Sequence, residues 1–137
     1  MKYAWVFLLA VTLASCSTGD DRIATAEDFL VGNWYWQDEL VNGKLIPYAS
    51  HEACGKDYII FSEDNSFAEM DVISCEERQQ MVGEWEVEGA TLTISAYGFS
   101  ESAKVLELTE TQLHVQIRFD YDGDGRNDTV IQRFTKK

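Results

Sequence analysis

Residues 83–88 read GEWEVE, which puts Gly83, Trp85 and Val87 on one side of an extended backbone and Glu84, Glu86 and Glu88 on the other. No other feature constrains the fold as tightly. A period of two buries one face of a strand and solvates the opposite face, which a helix cannot do with the same residues. The pattern recurs in LTISA, with Leu92, Ile94 and Ala96 inward, and in LHVQIRF, with Leu113, Val115, Ile117 and Phe119 inward. Further strands are predicted for NWYWQ (33–37), DYIIFS (57–62), SFAEMDV (66–72), AKVLEL (103–108) and DTVIQRF (128–134). In SFAEMDV the apolar side switches after Phe67, which predicts a bulge near Ala68.

The breakers between these segments are short: EDN at 63–65, EGA at 88–90 and TETQ at 109–112. Connections this tight join antiparallel neighbours, because a parallel crossover needs about a dozen residues or more. Two longer connections, roughly 38–56 and 73–81, each hold a cysteine. One helical turn precedes the strands, with Thr25 as its cap, Asp28 three positions on and Gly32 as its stop. The expected fold is therefore all-β: an eight-stranded antiparallel up-and-down meander, closed into a barrel because closure removes exposed edges.

The N-terminus is a targeting segment. Lys2 precedes a short apolar run ending in LASC at Leu13–Cys16, too short to span a bilayer as a permanent helix. That ending resembles the lipobox of bacterial lipoproteins. The resemblance implies a signal peptide over residues 1–15, cleavage before Cys16, and acyl chains such as palmitate on Cys16 as a membrane anchor. Residues 16–28 are then the lipidated cysteine and a flexible tether, and 29–137 the barrel domain. Asp20 and Asp21 also resemble the acidic signals that send Bacteroidota lipoproteins to the cell surface. The location implied is the cell envelope at the outer membrane, on its periplasmic or its outer face. With Cys16 acylated, Cys54 and Cys75 remain as a pair in an oxidising compartment, which favours a disulfide. The alternatives are two free thiols, or zinc ligands together with His51 and His114.

LVGNW at 30–34, Cys54, FSEDNSF at 61–67, Cys75, GEWEV at 83–87, LTI at 92–94 and LTETQL at 108–113 resemble the bacterial lipocalin-like lipoproteins. Gly32-x-Trp34 is similar to the first-strand motif of lipocalins, where the Trp closes the barrel floor. The resemblance implies an eight-stranded barrel. Trp34, Trp36, Tyr58, Phe61, Phe67, Trp85 and Phe119 then either line a pocket for a small apolar ligand or fill the interior, since eight strands enclose little more than side chains. Two functions stay open. One is a lipid-anchored binding protein for a small hydrophobic molecule. The other is an inhibitor or assembly subunit that grips an envelope protein or a glycan with the rims of a filled barrel.

The segment DYDGDGRND at 120–128 is long for a hairpin tip. Its acidic spacing matches the start of an EF-hand loop, but Ile131 stands where that loop needs Glu and strands flank it instead of helices. It resembles more closely the nine-residue calcium loops on β-hairpins of integrin-type propeller repeats. That resemblance implies a structural Ca²⁺ held by side-chain oxygens of Asp120, Asp122, Asp124 and Asp128 and the backbone carbonyl of Arg126, with Gly125 making the sharp turn. The alternative is a solvated acidic turn. Elsewhere the chemistry is sparse: there is no Gly-x-Ser-x-Gly elbow, no His-Glu-x-x-His and no phosphate-cradling glycine loop, so an enzyme is not expected. A net charge of −13 without a basic stripe excludes a nucleic-acid partner.

Overall fold

Thr25 caps the first helical turn. Its hydroxyl accepts the Asp28 amide, while the Asp28 carboxylate accepts the Thr25 amide at 2.7 Å, the reciprocal box that the spacing predicts. The computed structural model describes residues 25–136, so Cys16, the leader and most of the tether lie outside the described residues. Helix α1 (Ala26–Leu30) is a single turn. Gly32 ends it at a φ of +135°, a conformation that side chains rarely adopt.

The strands follow as β1 (Gly32–Val41), β2 (Lys44–Pro47), β3 (Tyr58–Phe61), β4 (Ser66–Ile73), β5 (Glu76–Glu88), β6 (Thr91–Ala96), β7 (Phe99–Leu108), β8 (Gln112–Phe119) and β9 (Asp128–Lys136). Every neighbour is antiparallel, and β9 returns to pair with β1, closing the sheet. Strands β2 and β3 share one lane along β1: β2 pairs with Asp38–Val41 and β3 with Gly32–Tyr35. The wall therefore has eight lanes, the closed barrel that the alternation predicts.

Three details correct the sequence reading. The expected 73–81 connection is only a tight turn, with Ser74 and Cys75 at φ of +54° and +64°, and β5 starts directly at Glu76. Its first five residues, EERQQ, are exposed on both faces, so no alternation marks them as strand. The expected 38–56 connection holds the end of β1 and all of β2. The bulge expected near Ala68 does interrupt the pairing between Glu69 and Met70, but its extra residue is on the other strand. Glu69 faces Met81 and Met70 faces Gln79, so the extra residue is Gln80, on the strand opposite. The apolar switch in β4 has another cause: Val72 is buried beneath the β2–β3 loop, where a Cβ on Gly55 would lie 3.1 Å from its methyl group.

That loop completes the wall where β3 stops short. Asp57 spans the gap, its carbonyl accepting the Trp36 amide and its Oδ1 accepting the Val72 amide at 2.8 Å. Glu52 similarly takes the amides of Ser74 and Cys75. The Cys54–Cys75 disulfide, with Cα atoms 5.6 Å apart, ties the loop to the β4–β5 turn and takes both sulfurs out of any zinc site.

Candidate functional site

The barrel has unlike ends, set by the up-and-down order. At one end stand α1 and the turns 62–65, 89–90 and 109–111; at the other stand 42–43, 74–75, 97–98 and 120–127. The α1 end is packed shut. Trp34 is fully buried, donates its indole N–H to the Leu30 carbonyl at 2.6 Å, and carries the Lys136 ammonium 4.9 Å above its ring. Lys136 also donates to the Phe29 carbonyl, and burial lowers its pKa. Trp85 donates to the Ser62 carbonyl at 3.1 Å and meets Phe61 edge-on. Leu30, Leu113 and Phe134 fill the space between. The Gly-x-Trp residue thus forms the floor.

Above that floor the barrel is hollow. A cavity of about 770 Å³ opens toward the other end, lined by Trp36, Phe61, Phe67, Leu92, Ile94, Val115 and their neighbours up to Phe119. The size suits a small organic ligand, for which pockets of about 300–1,000 Å³ are usual. Of the aromatics singled out from sequence, Trp36, Phe61, Phe67 and Phe119 line the cavity. Trp34 and Trp85 lie in the floor beneath it, and Tyr58 faces Tyr35 with ring centres 5.2 Å apart. Tyr97 and Phe99, at the lip, line the cavity while remaining 70% and 76% exposed.

The polar lining was not legible as such. Ile59, Glu69 and Met81 stand side by side on adjacent strands, and all three face the cavity, so the Glu69 carboxylate sits between apolar neighbours. Burial raises its pKa, and the carboxylates of Asp71 and Asp57 push the same way. Asp71 is raised for the same two reasons, burial and Asp57. Asp57 itself is buried and paired, accepting from the Tyr48 hydroxyl at 2.7 Å as well as from the Val72 amide. Tyr48 stacks on Trp36 at 5.3 Å, and its own pKa is raised by burial and by Asp57. His51 accepts the Asp57 amide at Nδ1, so its Nε2 carries the proton and donates to the Trp36 carbonyl at 2.7 Å. The indole nitrogen of Trp36 is buried without a hydrogen-bond partner among the described residues, an uncompensated donor within the cavity wall. Across the barrel Gln132 and Glu39 bond to each other at 3.1 Å.

The 120–128 loop stands beside this mouth. Asp120, Asp122 and Asp124 bring carboxylate oxygens within 4.8 Å of one another. Asp120 accepts the amides of Gly123, Asp124 and Gly125, and Asp124 accepts that of Arg126. Asp128 is engaged apart from that trio, by the Asn42 side chain and the Tyr121 amide. Tyr121 lies against Phe119 on the cavity lip.

Barrel, floor and chamber together define a closed antiparallel β-barrel with a chamber open at one end. Residues 30–115 match the family model described as a lipocalin-like domain, and the chain belongs to that family. It is a family of typically non-enzymatic proteins whose fold often binds small hydrophobic molecules. Among solved structures, a lipocalin-like protein from Bacteroides uniformis is 16% identical with a TM-score of 0.57, covering 80% of this chain and 99% of its own. An uncharacterized protein from Bacteroides eggerthii is 15% identical with a TM-score of 0.57, covering 79% and 99%. Identities this low speak for the fold alone. No curated protein sequence matches.

Proposed function

We propose that the protein is a lipid-anchored binding protein of the cell envelope, at the outer membrane, which holds a small apolar molecule inside its barrel. The observation that carries this is the cavity of about 770 Å³, open at one end and floored at the other. Side chains large enough to fill an eight-stranded barrel are present, yet Trp34 and Trp85 are spent on the floor and Trp36 stands at the wall. The Leu-Ala-Ser-Cys ending at Cys16 supports the anchor. The three converging carboxylates of Asp120, Asp122 and Asp124 support a structural Ca²⁺ that pins the β8–β9 hairpin beside the mouth. The exposed lip aromatics Tyr97 and Phe99 favour a second reading, in which the rim grips a protein or glycan partner.

Native mass spectrometry of protein purified from its own membranes without delipidation tests the first reading. The expected spectrum shows acyl mass on Cys16 and a retained small molecule that collisional heating releases. A chain starting before Cys16 with no acyl mass sinks the anchor, and an empty barrel in every charge state sinks the carrier.

A further inference from the structure

The chemistry of the cavity wall narrows what the barrel can hold, given that it holds an apolar molecule at all. Among the described residues that line the cavity there is no Lys, Arg or His. The charged groups on that lining are carboxylates, Glu69 in the apolar belt and Glu101 toward the lip. Ile59 on one side of Glu69 and Met81 on the other leave its carboxylate facing the chamber, and no protein donor bonds to it among the described residues. Asp71, two residues along the same strand, adds a third negative charge, and Asp57 stands behind it on the β2–β3 connection.

We propose that the barrel selects amphiphilic cations: an apolar chain or ring seated among Phe61, Phe67, Leu92 and Ile94, with a protonated amine paired to the Glu69 carboxylate. A fatty-acid carboxylate entering the same chamber meets like charge, with no cationic partner among the described lining residues. An ammonium group instead supplies a counter-charge to Glu69, in surroundings where water screens the pair weakly. The overall charge of −13 draws cations and repels anions on approach. The raised pKa of Glu69 has the same origin, a carboxylate held by burial among apolar groups and near the carboxylates of Asp71 and Asp57.

Calorimetric titration of the purified full-length protein with three chain-matched probes, decylammonium, decanol and decanoate, tests this. The expected order is decylammonium tightest by about tenfold over decanol, the scale of a charge-assisted hydrogen bond, with decanoate weakest. Glu69→Gln should bring decylammonium to the level of decanol and leave decanol unchanged. Glu84→Gln, which removes the same charge from the exposed outer wall, should leave the preference intact. The three-probe order is read on the unaltered protein, so the inference stands or falls even if a variant misfolds. Decanoate binding as tightly as decylammonium overturns it, as does a preference that survives Glu69→Gln or vanishes equally with Glu84→Gln. Decanol binding with decylammonium no tighter overturns the selectivity and keeps the carrier. Binding of none of the three overturns both.

Discussion

The two ends of this barrel are built to opposite rules. At the floor every polar group named has a partner: the Trp34 indole finds Leu30, the Trp85 indole finds Ser62, and Lys136 finds Phe29. Toward the mouth, among the described residues, the Trp36 indole has none, Glu69 sits among apolar groups and other carboxylates, and Tyr97 and Phe99 lie largely exposed. Satisfied groups and dense packing stabilise a fold, whereas unsatisfied ones cost stability and persist where something else repays them. On the proposed function, the contrast puts stability at one end and binding at the other. It breaks if the mouth turns out to hold the fold together, or if the floor governs what binds.

The largest effect should follow from the floor. Trp34→Ala removes the most buried large side chain, its hydrogen bond and the surface beneath Lys136, and should cost about 3–5 kcal/mol. Phe99→Ala, at the lip, should leave the denaturation midpoint almost unmoved. Urea titrations of the two variants decide this; equal losses would erase the distinction between the ends.

Next comes the clamp on the wall. The disulfide joins residues 21 apart, and replacing both cysteines by serine should cost about 3 kcal/mol in the chain-entropy account. The loop also shapes the cavity wall through Tyr48 and Asp57, so ligand affinity should fall together with stability. A loss of stability without any loss of binding would place this loop with the floor. Free-thiol titration of the purified protein should find neither Cys54 nor Cys75 reactive.

How much of this was legible in the chain differs between the two ends for a physical reason. Alternation reports a strand only where one face is buried. It therefore located β6, β8 and the lower part of β5, whose Trp85 and Leu92 join the core. It missed EERQQ at the start of β5, β2, and the first residues of β7, where Ser95 and Ser100 bond across the rim in water. The floor was legible only through a resemblance: Gly32-x-Trp34 is similar to the lipocalin first-strand motif, and the short range between Gly32 and Trp34 keeps that motif visible in the chain. The polar half of the site was hidden by the same logic: Glu69 occupies an inward position where the pattern calls for an apolar residue. Together with the burial of Val72 on the other face, its intrusion reads as a slipped alternation after Phe67, when Glu69 is the β4 carboxylate that lines the chamber.

A smaller effect is expected from the acidic loop. If Asp120, Asp122 and Asp124 hold Ca²⁺, the ion at about a hundredfold excess over its Kd adds roughly 2.7 kcal/mol by linkage. Chelation should then loosen the β8–β9 hairpin before the floor, visible as faster amide exchange around Phe119 and Tyr121. Asp124→Asn keeps an oxygen but removes charge, so it should weaken calcium binding with the barrel still folded. An unchanged melting curve in millimolar calcium and in chelator would leave a solvated turn.

The smallest effect carries an unusual sign. The folded pKa of Glu69 is raised by burial and by the neighbouring carboxylates, so the folded chain holds this proton more tightly than the unfolded chain. A group raised in this way contributes stability that is fully present below its unfolded pKa and lost as pH rises through its folded value. At neutral pH the ionised carboxylate is therefore a net cost, and Asp71, raised for the same reasons, adds to it. Glu69→Gln should raise the melting temperature slightly at pH 7, and the gain should shrink as the pH falls into the carboxylate range. Subtracting the variant from the parent at each pH cancels the many exposed carboxylates, including Asp64, whose lowered pKa has the opposite sign. The difference then reports Glu69 and the groups facing it, which are Asp71 on the same strand and Asp57 from the β2–β3 connection. A bound alkylammonium should invert the result, because the charge that costs stability in the empty barrel is the one that holds the ligand. If Glu69→Gln instead destabilises at pH 7 without ligand, the carboxylate belongs to the structure, and the mouth is not the strained end of this barrel.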